Sequence, residues 1–184
     1  MKQPGKPSDR WTERAFRNIS RNLSAVRKPL TYRNLDRYKR AVVDLNRALE
    51  MSSQSTGARL SLANYQHLKL SPLESSNLLR AAENPAENQF YPYFSERLTA
   101  ILRERKVRII GFSLNFLSQA LCTFAMLGFL RRNFPNVTLA AGGGLITSWM
   151  RRPGWANPFA GLIDHQVAGP GETFLLSLLG LNAD

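Results

Sequence analysis

The sequence predicts an α/β fold, a parallel sheet with flanking helices, behind an amino-terminal helical extension. Three observations predict it. From residue 107 onward the chain alternates strand, turn, helix and strand, the rhythm of parallel strands joined by helices on the sheet faces. The strand exits are rich in glycine and in hydroxyl and amide side chains, the composition of sheet edges that bind ligands. The first 50 residues show helical spacing alone and hold 13 Lys and Arg against 5 Asp and Glu. At 184 residues and 43% hydrophobic content the chain can bury one sizeable core with an appendage. The expected division is a basic helical extension over residues 1–56 and an α/β domain over 57–184.

The lead "MKQPGKPSDR" carries Pro4, Gly5 and Pro7 and reads as unstructured. Over residues 8–26, Trp11, Ala15, Ile19, Leu23 and Val26 recur at helical spacing, and Pro29 breaks the pattern. A second helix carries Leu35, Tyr38, Val42, Leu45 and Leu49 on one stripe, with Arg33, Arg37, Lys39, Arg40 and Arg47 on its other faces. Such stripes must be buried against something, here the domain that follows. "MSSQSTG" is a polar loop, and "ARLSLANY" a half-buried strand with Leu60 and Leu62 inward. "SPLE" reads as a helix start, with Ser71 as cap, Pro72 at the first position and Glu74 three residues after the cap. That helix stops before Pro85. The aromatic run "FYPYF" is a packing anchor leading into a helix that ends near residue 105.

"VRIIGFSL" then reads as a buried strand. Residues 118–134 form a helix capped by Ser118, apolar nearly all round, closing on Arg131 and Arg132 where the helix dipole favours cations. "NVTLAAGGG" and "LIDHQVAGPGE" are further strands, the second followed by the short helix "TFLLSLLG". "ARLSLANY" included, the domain has four candidate strands.

The chain carries a formal net charge of +12. Residues 1–50 supply a surplus of 8; the rest, with 12 cations against 8 acids, supplies 4. The favoured reading is a solvated helical face that meets an acidic partner surface. The alternative is a basic nucleic-acid- or protein-binding adaptor. With one cysteine, Cys122, no internal disulfide forms and no iron–sulfur cluster is held. No apolar run approaches the roughly 20 residues of a membrane span, and no signal peptide is visible, so no membrane partner and a cytoplasmic location are expected.

Parallel strands present their carboxyl ends together, so three loops fall on one sheet edge. They are "SLNFLSQ" from Ser113, "GGGLITS" from Gly142, and "GPGE" from Gly169. Gly142, Gly143 and Gly144 remove side chains that would hold a flat ligand away from the backbone, and Thr147 and Ser148 add hydroxyls. Glu172 opens the last helix, where the dipole favours an anion. Phosphate-cradling fingerprints are absent: there is no G-x-x-x-x-G-K-[ST], and Thr147 stands where G-x-G-x-x-G needs its third glycine. No nucleophile–base or carboxylate pair can be assembled from these loops.

The ordered set of these three loops, in the segment from "RIIGFSLNFLSQ" through "AAGGGLITS" to "VAGPGE", resembles the cobalamin-binding domain of cobalamin-dependent radical S-adenosylmethionine (SAM) enzymes. The resemblance covers residues 108–172 and implies a Rossmann-like sheet that binds cobalamin across this edge. It implies cofactor contacts from Ser113, Leu114, Asn115, Phe116, Ser118 and Gln119 in the first loop. Ser113, Asn115, Ser118 and Gln119 would hydrogen-bond corrin amides and the nucleotide tail, with Phe116 or Leu117 against the ring. The second loop would contribute Gly142, Gly143, Gly144, Leu145 and Thr147, and the third Gly169, Pro170, Gly171 and Glu172. It implies no histidine ligand to cobalt; "DHQVAG" has Asp164 and His165 adjacent and does not meet the D-x-H-x-x-G spacing. The radical SAM core, with its C-x-x-x-C-x-x-C motif, is absent. The chain is therefore expected to be a fragment or split product that binds cobalamin, catalyses nothing alone, and works with a radical SAM catalytic domain. "WMRRPGWANPF" reads as a lid-like loop whose Arg151 and Arg152 could reach a tail phosphate, and Cys122 as a buried, inert thiol.

Overall fold

The structure, a computed structural model, describes residues 10–181. The lead before residue 10 and the last three residues lie outside the described residues. The chain divides into two compact units between Leu68 and Lys69.

The first unit is a helical cluster with a small hairpin. The single helix expected over residues 8–26 is two, α1 (Arg10–Arg17) and α2 (Ile19–Val26), because the backbone turns at Asn18, whose N–H is shared between the carbonyls of Arg14 and Ala15. A short α3 (Pro29–Tyr32) follows, then the 19-residue α4 (Leu35–Ser53), capped by the Asn34 side chain on the Arg37 N–H. Both α1 and α2 pack on α4. The buried seam holds Leu45 of the expected stripe and the small residues Ala15, Ala25, Ala41 and Ala48, while Trp11 and Leu35 stay exposed. A polar knot completes it. Asp44 is buried and accepts from Arg14 Nη2 at 2.6 Å and Asn22 Nδ2 at 3.2 Å, so its charge is paired.

"ARLSLANY" does not join the α/β sheet. It forms β1 (Ala58–Leu60), which turns back as β2 (Tyr65–His67) in an antiparallel hairpin. Side chains of α4 hold it: the Ser53 hydroxyl accepts from the Leu60 N–H and the Asn46 amide oxygen from the Leu62 N–H. Ala58, Leu60 and Leu62 share a face, buried at Ala58, half-buried at Leu60 and exposed at Leu62, so the inner face expected of Leu60 and Leu62 is only partly covered. The division therefore falls after residue 68 and not at 56, and the parallel sheet keeps three of four expected strands.

The second unit is α/β. Its elements are α5 (Ser75–Glu83), a 3-10 turn at Pro85–Glu87, α6 (Tyr91–Glu104), β3 (Ile109–Ser113), α7 (Leu117–Asn133), β4 (Thr138–Gly142), α8 (Gly144–Met150), β5 (His165–Gln166) and α9 (Glu172–Leu178). The strands lie parallel in the order β3-β4-β5, with Ser113 opposite Gly142 and Ala140 opposite His165. Helix α5 starts three residues later than "SPLE" suggested, because the Ser71 hydroxyl closes a local turn on the Leu73 N–H and Glu74 takes the cap position. Helix α7 is apolar all round and its middle is buried. Gly128 of α7 lets α5 approach until its missing Cβ would stand 1.9 Å from the Ala82 carbonyl oxygen. The "FYPYF" run anchors α6: Tyr91, Phe94 and Phe129 meet edge to face with centroids 5.5 to 6.0 Å apart. A second aromatic group, Phe124, Trp149 and Phe159, ties α7 to α8 and the loop after it.

The sheet is buried at its centre, in Leu139, Ala140 and Ala141. Strand β3 is not the buried strand its composition suggested. Gly111 and Ser113, two apart on one face, are exposed because that face is the floor of a cleft.

Asp164 joins three elements: its Oδ2 accepts from the Leu139 N–H at 2.7 Å and from Arg131 at 2.8 Å. Partial burial raises its pKa, but the Arg131 and Leu139 hydrogen bonds and the nearby positive charges of Arg131 and His165 outweigh that and hold it below the ordinary 3.8. A depressed carboxylate stabilises the fold above its unfolded pKa and loses that contribution as pH falls through the folded value. Asp164 is exposed and solvent screens its pairing with Arg131, so Asp164→Ala should cost no more than about 1 kcal/mol at pH 7, and the gap from the parent should close as pH falls below the ordinary carboxylate range. Urea titrations at pH 7 and pH 3 check this; an equal gap at both would remove the carboxylate from the account.

Candidate functional site

The site is built where the three parallel strands end. A cleft of about 390 Å³ is lined by the last residues of β3 and β4, by Val167, Gly169 and Gly171 after β5, and by Phe174 and Leu175 of α9. Of the sequence-derived site residues, Ser113, Gly142, Gly143, Gly169 and Gly171 line it together. Leu114, Asn115, Phe116, Ser118 and Gln119, the helical Gly144, Leu145 and Thr147, and Pro170 and Glu172 do not.

The first loop spends its polar groups on itself. Asn115 Oδ1 accepts from the Gly144 N–H at 2.8 Å and its Nδ2 donates to Ser113 Oγ at 3.1 Å. Gln119 Oε1 folds back to accept from the N–H groups of Asn115 and Phe116, which makes Gln119, and not Ser118, the side chain that closes the start of α7. Asn115 and Gln119 are thus positioned by the turn they hold, and corrin amides are not what their bonded atoms meet. Phe116 and Leu117 are exposed at the same strand exit, Phe116 by 66%.

The glycines divide by cause. Gly143 has φ +98°, and a Cβ on it would meet Leu114 O at 2.6 Å and Leu114 N at 2.8 Å. Its lack of a side chain serves the packing of two turns, a correction to the reading that all three consecutive glycines clear space for a ligand. Gly111 and Gly171 have ordinary φ values, and a Cβ on either would meet nothing within 4 Å. Both line the cleft, so a side chain there would enter it. Gly142 is intermediate, its Cβ position 3.4 Å from Val167 O.

"GGGLITS" is not a loop beyond its second glycine: α8 begins at Gly144 and takes in Trp149 and Met150, so the segment expected as a lid over 149–159 is instead the connection 151–164. Thr147 is turned to structure, its hydroxyl accepting from the Gly169 N–H at 2.9 Å and so fastening the third loop to α8. Arg151 stands beside that junction, its guanidinium 3.8 Å from where a Cβ of Gly169 would lie. It makes no ion pair among the described residues.

His165 packs its ring against Phe174 at 5.3 Å, and burial pushes the Cys122 thiol up to about 11, leaving it protonated at neutral pH. Among the described residues no group of three or more His, Cys, Asp and Glu side chains could hold a metal ion, and no helix is long and apolar enough to cross a membrane.

Gly111, Phe112, Ala140, Ala141, Val167, Phe174 and Leu175 escaped the sequence reading. One of them left a signal: a glycine inside the apolar run "RIIGFS" marks close approach to a strand backbone. Comparison with protein-family models, curated proteins and solved structures finds no match to this chain.

Proposed function

We propose that the α/β unit is a corrinoid-binding module with a Rossmann-like sheet, and that cobalamin is its ligand. The observation that carries the proposal is the pair Gly111 and Gly171. Neither glycine is required by backbone conformation or by packing, and both face the same cleft at the carboxyl edge of the sheet. Glycines without an internal reason, at the position where open α/β sheets bind ligands, are accounted for by a ligand that lies on the backbone.

The residues present fit the tail of such a cofactor. The cleft is near the small end of the ~300–1,000 Å³ range of ligand pockets, room for one flat group and not for a macrocycle. Val167, Phe174 and Leu175 offer it apolar walls, Arg151, outside the lining but beside Gly169, offers a cation for a phosphodiester, and the exposed Phe116 and Leu117 leave apolar surface for the ring. Cobalamin, when bound, brings the chemistry of its cobalt; the protein positions it and sets what covers its lower face. His165 is committed to Phe174, so His165→Ala should leave the visible spectrum of bound cobalamin unchanged; a shift from a ligated to an unligated spectrum would give histidine the lower face. A single, half-buried thiol cannot ligate a four-iron cluster, so a catalytic partner with its own cysteines would have to cleave SAM.

The experiment is a titration of the full chain with hydroxocobalamin and with methylcobalamin, followed by visible absorbance after gel filtration. Retention of a coloured, protein-bound fraction is expected. Colourless protein with both compounds would end the proposal.

A further inference from the structure

The helical unit contains a second cavity that the corrinoid proposal does not use. It measures about 530 Å³ and is bordered by three helices: Arg14 from α1, Arg21 from α2, and Arg37 and Arg40 from α4. Asp44 is its only acid, so four guanidiniums against one carboxylate leave the lining at +3. That carboxylate is already committed to Arg14 and Asn22. Arg21, Arg37 and Arg40 make no ion pair among the described residues. Arg40 spends only its Nε, on the Asp36 carbonyl, and Asp36 does not border the cavity.

Three uncompensated guanidiniums gathered around one hollow repel one another, and Arg37 and Arg40 are neighbours on one helix face. The fold keeps that arrangement concave, at the amino end of the 19-residue α4, where the helix dipole adds positive potential. The Asn34 amide oxygen caps the helix, which leaves its Nδ2 as a further donor at the rim. We propose that this cavity binds phosphate groups, as a phosphate ester or polyphosphate. Every cation lining it is arginine, whose planar fork matches phosphate oxygens two at a time. A concave site of this charge suits a compact dianion better than it suits carboxylates spread over the surface of an acidic protein. The phosphate can come from a free small molecule or from an RNA backbone.

Inorganic pyrophosphate, a twelve-residue oligouridine and a poly-glutamate peptide, each titrated calorimetrically into the full chain at low salt, test the proposal. Pyrophosphate should bind, and Arg37→Gln/Arg40→Gln should weaken it about tenfold or more. Arg27→Gln/Arg33→Gln, which removes the same charge from positions exposed as Arg37 and Arg40 are but outside the cavity lining, should bind as the parent does. Oligouridine that competes with pyrophosphate identifies a polymer backbone as the source; oligouridine that does not compete identifies a small phosphate. Both outcomes support the site. Equal losses in the two double variants, or binding of poly-glutamate without pyrophosphate, would overturn it. Circular dichroism of both variants separates loss of binding from loss of fold, and neither result bears on cobalamin.

Discussion

Gly128→Ala is expected to destabilise the α/β unit severely. In an ordinary helix interior the change would be favourable by about 1 kcal/mol, because alanine loses less backbone entropy. Here the added methyl would stand 1.9 Å from the Ala82 carbonyl oxygen, 2.5 Å from its carbon and 2.7 Å from its Cα. All three atoms are backbone in α5, so no rotamer change relieves the clash; α5 must move away from α7. That movement would open the most extensive helix–helix contact of the unit, which buries Leu78, Ala81 and Ala82. Overpacking of this kind costs about 3 kcal/mol or more, which exceeds the propensity gain and is a large part of a domain's net stability. Gly111→Ala is the matched control, since its methyl meets nothing within 4 Å. Thermal melts of the two proteins should differ by many degrees; similar midpoints would show that α5 yields easily.

How much of this was legible in the sequence depends on whether the cause was local. Strand β4, the helix through "ALCTFAMLGFL" and its closing arginines, the stop at Pro85 and the acidic start of α9 are all set by periodicity and end chemistry within a few residues. The failures have distant causes. "ARLSLANY" alternates as a strand should, but its partner was decided by Ser53 and Asn46 on α4, which no local pattern reports. The break at Asn18 lies inside an unbroken apolar spacing. Strand β3 has the composition of a buried strand, yet Gly111 and Ser113 on one of its faces are exposed in a cleft that α9 borders and does not fill. In the first loop the residue types were legible and their duties were not: a hydroxyl and two amides at a strand exit suit a ligand as well as they suit a turn, and geometry assigns Asn115 and Gln119 to the turn.

Gly111→Val and Gly143→Ala should fail in opposite ways. Valine at 111 suits a strand, meets no protein atom at its Cβ, and should leave stability unchanged or raise it by about 0.5–1 kcal/mol over glycine. Its two methyls would occupy the floor of the cleft beside Ser113 and Gly142, where a flat ligand must lie on the backbone. Binding should fall by about 3 kcal/mol, roughly a hundredfold. Alanine at 143 is the smaller change by volume and the larger by structure. It forces a side chain onto a φ of +98° and presses Cβ to 2.6 Å from the Leu114 oxygen, costing about 1–3 kcal/mol of conformational strain before the clash is counted. Any ligand loss in that protein should therefore track its fraction unfolded and recover on cooling toward its stability maximum. Cobalamin retention after gel filtration, read beside a denaturant curve for each variant, separates the two causes. A stable Gly111→Val protein that binds cobalamin as tightly as the parent would show that the cleft is not where the ligand lies.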